Sequence, residues 1–124
     1  MIKRNITKSL ISIVKRKSYS SLTKDAKICK SIWSKTRGLM FRKKNYTIPL
    51  LFIFDKPGKY PIHSFFCRKF IAVWLVKRKI VDVKIIHPWK NNISPNSNFD
   101  ELLEIPLNND GKTKHLNTRR DYNI

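Results

Sequence analysis

The stretch "FIAVWLV", residues 70–76, constrains this chain more than any other. Its seven apolar residues in a row, rich in β-branched and aromatic side chains, are far short of the ~20 that a membrane helix needs. The run also lacks the polar stripe of a surface helix, which leaves a strand covered on both faces. "KRK" (77–79) then separates it from "IVDVKII", where Val81, Val83 and Ile85 alternate with Asp82 and Lys84. That pattern predicts a hairpin partner with one dry face and one wet face.

Other segments read as parts of the same sheet. "DAKICKS" alternates as a short strand, and "TIPLLFIF" predicts a longer one ended by a turn at Pro57-Gly58. "YPIHSFFCRK" reads as strand-like, and "HPWKNNISPNSN" as a loop broken by two prolines. "FDELLEIPL" gives a final strand. "SIWSKTRGLMFRKK" predicts one central helix, capped by Ser31, with Ile32, Trp33, Leu39 and Met40 as its apolar stripe. The fold class expected is α+β: a small β-rich, antiparallel curled sheet or barrel-like domain with one central helix. A chain of 124 residues with fourteen aromatics suffices for one such core.

Gly38 lies inside the predicted helix, where glycine costs about 1 kcal/mol relative to alanine. Close seating of the helix on the sheet is the mechanical explanation, and an arginine-flanked phosphate grip is the chemical one. The mechanical one is preferred, with Leu39, Met40 and Phe41 supplying burial.

Ahead of the sheet, "MIKRNITKSLISIVKRKSYSS" contains no acid. Ile2, Ile6, Leu10, Ile13 and Val14 fall on one helical arc, with Arg4, Lys8 and Lys15 opposite. This is a basic amphipathic helix of a kind that lies on a membrane surface, packs on the domain, or serves as an organellar targeting segment. The organisation expected is a basic segment over 1–20, a single β-rich domain over 21–107, and a polar, disordered tail over 108–124.

Charge is the second constraint. The chain carries 27 basic residues against 8 acidic ones, and thirteen of the nineteen excess positive charges fall in residues 1–44. A field of that size attracts nucleic acid or an anionic membrane surface; the alternative is a compositional bias that merely coats the surface with lysine. Lys15, Arg16, Lys17, Lys43 and Lys44 are the candidate polyanion contacts, with Trp89 as an exposed aromatic on its proline-bounded loop. Cys29 and Cys67 lie far apart in sequence, which fits reduced thiols in a cytoplasm better than a disulfide framework.

The order of the blocks resembles a known family. Arg37 to Arg42, "LLFIF", "HSFFCRK" and "LLEIPL" are similar in sequence and order to the archaeal and bacterial family called domain of unknown function 192. Residues 37–42, 51–54, 63–68 and 102–106 match its four blocks, and the likeness covers about residues 24–107. Here Phe66 and Cys67 stand where the family has tryptophan and methionine, and the polar segment that usually follows is replaced by "KFIAVWLV". The resemblance implies a small barrel-like β domain and no assigned activity.

Chemistry has few candidates. Arg37, His63 and Cys67 form a candidate ligand pocket; Arg68 and Lys69 would favour a Cys67 thiolate, but a buried, inert cysteine is the preferred reading. On a regular strand, however, His63 and Cys67 would be ~13 Å apart. Asp100, Glu101 and Glu104 are expected to offset lysines. No spacing suggests a metal site, no glycine-rich loop suggests a cofactor, and no catalytic residue is assigned. The function expected is a non-enzymatic binding or accessory module, with nucleic-acid contact and membrane-surface association as alternatives.

Overall fold

The computed structural model describes residues 2–29, 47–64 and 67–107. Two helices, α1 (Ile2–Arg16) and α2 (Tyr19–Thr23), precede β1 (Lys27–Cys29), β2 (Leu50–Gly58), β3 (Phe70–Val76), β4 (Lys79–Ile86) and β5 (Phe99–Pro106). The five strands form one sheet in the order β1-β2-β5-β3-β4. This is the α+β curled sheet that the sequence predicts. The predicted central helix, Gly38 included, and the tail from residue 108 lie outside the described residues.

β3 is the core of the sheet, paired antiparallel to β4 on one side and β5 on the other. Every residue from Phe70 to Leu75 is buried. One face packs Ile71, Val73, Leu75, Leu103 and Ile105 against Leu10, Ile13 and Val14 of α1 and Leu22 of α2. The opposite face packs Phe52, Phe70, Ala72, Trp74, Phe99 and Leu102 with Ile62, Cys67 and Ile93 from the connecting segments. A strand covered on both sides has no polar face to present, which is why "FIAVWLV" is apolar throughout.

Leu10, Ile13 and Val14 of the α1 stripe are therefore part of the core, and this end of the helix packs on the sheet. Each of its buried side chains contributes ~1.5–3 kcal/mol. Membrane anchoring by Leu10, Ile13 and Val14 would require them to leave the sheet. Among the described residues no helix is long and apolar enough to cross a membrane. The stretch after α1 makes the short helix α2: the Ser18 hydroxyl caps it by accepting from Ser21 N, and Leu22 anchors it.

Three expectations are corrected. First, the sheet is mixed, because β1 runs parallel to β2 through Lys27↔Leu50 and Cys29↔Phe52. Parallel neighbours need a crossover of a dozen or more residues, and the segment between Cys29 and Leu50 is long enough. Second, β2 continues through Asp55–Gly58 rather than turning there, with its register against β5 shifting between Ile53 and Gly58. β1 ends opposite Phe52, so Pro57 occupies an edge where its missing N–H breaks no ladder. Third, the described part of "YPIHSFFCRK" is not a strand and makes a single bridge, Ile62↔Ile93.

Ser64 explains that third departure. It is buried; its amide donates to the Lys90 carbonyl (2.8 Å), and its own carbonyl accepts from Cys67 N and Trp89 N. Its hydroxyl donates to the His87 carbonyl at 2.6 Å and accepts from Lys90 N at 2.8 Å. Local side-chain bonding has replaced the ladder, tying the 62–67 segment to the loop after β4.

β4 borders the sheet among the described residues and carries charges. Asp82 and Lys84 lie on the face shared with Trp74, their charged groups 3.8 Å apart. Lys84 Nζ donates to the Ser94 carbonyl, and Asp82 accepts from Asn96 N and Val83 N.

Candidate polyanion-binding surface

The fold brings two basic segments together that lie some sixty residues apart in sequence. Lys15 and Arg16 close α1 and are exposed, Lys17 follows, and Tyr19 opens α2. Across from them the β3–β4 turn presents Lys77, Arg78 and Lys79, all exposed. The link is direct: the Arg78 guanidinium carbon lies 5.3 Å from the Tyr19 ring centroid. At half-exposed sites such a cation–π contact is worth about 0.5–1 kcal/mol.

This turn is an unusual place for two long cations. Lys77 and Arg78 have φ of 49° and 65°, the conformation for which Asn-Gly is preferred. Lys77 N is held by the Asp100 carboxylate at 3.3 Å. Lys15 and Arg16 have an ordinary reason to be where they are, since cations suit the carbonyl end of a helix. No such reason applies at the turn.

Two carboxylates temper the charge. Asp100 holds the turn, and Glu101, buried, accepts from the Tyr19 hydroxyl. Burial, with that hydrogen bond next, pushes the Tyr19 phenol up to about 12, so it stays a donor at every physiological pH. Six cations from two segments therefore face two acids that are already engaged.

Of the residues singled out in sequence, Lys15, Arg16 and Lys17 fall on this surface, while Lys43 and Lys44 lie outside the described residues. Trp89 is exposed at 61 % with a positive φ, as a loop aromatic should be. It nevertheless follows the other end of β4, roughly 25 Å along the strand from Lys79. It does not join the cluster. Lys77, Arg78 and Lys79 were read only as a separator; their positive-φ turn is invisible to a rule that looks for Gly or Asn.

The pocket expected from Arg37, His63 and Cys67 is only partly placed, because Arg37 lies outside the described residues. Chain reversal at Ser64 removes the strand geometry assumed for His63 and Cys67. Burial, and then the Glu104 charge, raise the Cys67 thiol to about 12. Arg68 and Lys69 do not activate it. Both cysteines are free thiols. Glu104 is likewise no partner for a surface lysine. It is buried between its cross-strand neighbours Leu50 and Ala72, and burial pushes its carboxyl up to about 8. Among the described residues no three His, Cys, Asp or Glu side chains gather as a metal site would require.

No protein-family model and no curated protein matches this chain. Among solved structures the chain is similar to a protein of unknown function from Novosphingobium aromaticivorans DSM 12444, at 14% identity and a TM-score of 0.58, over 64% of this chain and 61% of that one. It is also similar to a protein of Sinorhizobium meliloti 1021 described as a putative transcription regulator, at 13% identity and a TM-score of 0.58, over 64% and 66%. The matched region spans just under two thirds of each of those chains. At such identities the likeness shows the fold.

Proposed function

We propose that the protein is a non-catalytic module that binds nucleic acid through the basic end formed by Lys15, Arg16, Lys17, Lys77, Arg78 and Lys79. The observation that carries this reading is the convergence of two separate basic segments across Tyr19 and Arg78. The charge of the turn is maintained against the backbone preference of those positions. A regulator of transcription is one kind of protein such a surface suits, and the Sinorhizobium meliloti neighbour is described in those terms. Free thiols at Cys29 and Cys67 favour a reducing cytoplasm as the place of action.

Kinship to domain of unknown function 192 is part of the same proposal. Two of the four matching blocks, residues 51–54 and 102–106, fall on the adjacent strands β2 and β5, where Leu51 pairs with Leu103 and Phe52 with Leu102.

Binding of labelled RNA and DNA across a salt series tests the function. The logarithm of affinity should fall linearly with the logarithm of salt, with ~0.7–0.9 units of slope per phosphate contacted. A K15A/R16A/R78A variant should flatten that slope by about two units. Absence of salt-dependent binding rejects the reading. Flotation with anionic vesicles, unmatched by any nucleic-acid binding, would replace it with a membrane-surface role.

A further inference from the structure

Among the described residues Trp89 is the most exposed large apolar side chain, at 61 %. An indole packed on both faces shows solvent only its rim, so at this exposure a face of the ring is bare. The backbone beneath it is fixed. Trp89 N donates to the carbonyl of buried Ser64 at 3.0 Å, and Lys90 N donates to the Ser64 hydroxyl at 2.8 Å. Further along the loop, Ile93 exchanges backbone bonds of 2.8 and 2.9 Å with Ile62. Trp89 has φ of 62°, a conformation that suits asparagine or glycine and that bulky residues rarely adopt. Neither burial nor backbone preference accounts for an indole at this position.

The surroundings suit an anion. The two segments joined at Ser64, residues 59–69 and 87–98, contribute Lys59, Arg68, Lys69 and Lys90 and not one acid. Asp82 reaches the loop from β4 at Asn96 N, and Lys84 lies beside its carboxylate. Glu104, whose charge acts on Cys67, is buried and held towards its neutral form. Asn91 and Asn92, both exposed, follow Lys90. Amide groups are costly to bury in lipid but pair with the edges of unstacked bases. A single strand therefore fits this loop better than a membrane surface does.

We infer that Trp89 is a stacking platform for an unpaired base, with Lys90 meeting a neighbouring phosphate and Asn91 and Asn92 the base edges. This deepens the nucleic-acid reading and rests on it. It narrows the ligand at this end of β4 to a single strand, because bases stacked inside a duplex have no face to offer a side chain. A ring carried on fixed backbone gives up little entropy when a base covers it. The basic end at the other end of β4 supplies attraction, and the Trp89 loop supplies the preference for unpaired bases.

The test compares the full chain with Trp89→Asn, Trp89→Phe and Lys90→Ala, on an oligothymidylate of about 16 nucleotides and a duplex of equal length. Asparagine suits φ of 62°, so the urea midpoint of Trp89→Asn should be no lower than that of the unaltered chain. Trp89→Asn should weaken oligothymidylate binding roughly tenfold and leave duplex affinity and salt slope unchanged. Trp89→Phe should retain the affinity. Stacking also quenches indole emission, so the unaltered chain should dim on titration and Trp89→Phe should dim less. Lys90→Ala should lower the salt slope on oligothymidylate by about one phosphate contact. Should Trp89→Asn fail to fold, the quench and the Lys90→Ala slope decide. Undiminished binding by Trp89→Asn, equal losses on both probes, a Trp89→Phe as weak as Trp89→Asn, a quench that survives Trp89→Phe in full, or an unaltered slope in Lys90→Ala each overturns the inference. So does Trp89 emission that shifts on anionic vesicles and not with oligothymidylate, which assigns the loop to a membrane surface. A chain that binds the duplex alone overturns the inference and leaves the nucleic-acid reading standing. One that binds neither probe overturns that reading itself.

Discussion

Arg78 rests on the ring of Tyr19 while the Tyr19 hydroxyl donates to Glu101. One tyrosine thereby joins the hairpin turn, α2 and β5. Its apolar body is shielded, its polar tip is engaged, and the cation above it is held in place instead of sweeping through solvent.

The turn should trade stability for charge. Lys77→Asn places a residue tolerant of positive φ where lysine is strained at 49°, and should stabilise the fold by about 0.5 kcal/mol. The same change should lower the salt slope of nucleic-acid binding by about one phosphate contact. Urea denaturation and a salt series on one preparation check both halves. Unchanged stability with unchanged binding would show that the turn is neither strained nor in contact.

Glu104 should make the protein sensitive to alkali. Its carboxyl titrates near 8 in the folded state, against an ordinary value of 4.5. Between those limits the folded chain holds a proton that the unfolded chain has lost, so stability falls as pH rises. The slope is at most about 1.4 kcal/mol per pH unit, full stability lies below 4.5, and the loss levels off above 8. Glu104→Gln should remove this slope, with its advantage over the unaltered chain growing from pH 5 to pH 8. Parallel urea midpoints for the two proteins across that range would contradict it.

Cys67 should be inert in the native protein. With its thiol raised to about 12 by burial and Glu104, the thiolate is scarce at neutral pH and alkylation is correspondingly slow. Mass spectrometry after mild iodoacetamide treatment should find Cys67 unmodified until denaturant is added. Rapid native modification would contradict this.

Sheet composition was legible because burial writes itself into residue type. "FIAVWLV", "LLFIF" and "FDELLEIPL" each became strands, and the hairpin around "KRK" formed, although a register shift after Trp74 sends Val81 to the Trp74 face while Val83 and Ile85 pack on the α1 side. Legibility failed where a partner distant in sequence decides the outcome. Pro57-Gly58 reads as a turn by local rules, yet an unpaired edge lets β2 run on through it. "HSFFCRK" has strand composition, but Ser64 finds acceptors and donors at His87 and Lys90, which no local window contains. The parallel direction of β1 is likewise a property of the connection and not of "KIC".

The site was legible only in half. Residues 15–17 stood out in the sequence by charge alone, whereas their neighbours at 77–79 were hidden behind their role as a separator.

Asp82 and Lys84 have a consequence for the chain's neighbours. A strand at a sheet border offers a template on which a second molecule can polymerise, and β4 is long enough to do so. Here any newcomer would have to prise apart an ion pair and its bonds to Ser94 and Asn96 before a ladder could extend. So cationic a protein, gathered at high local density along a polyanion, should therefore crowd without fibrillating.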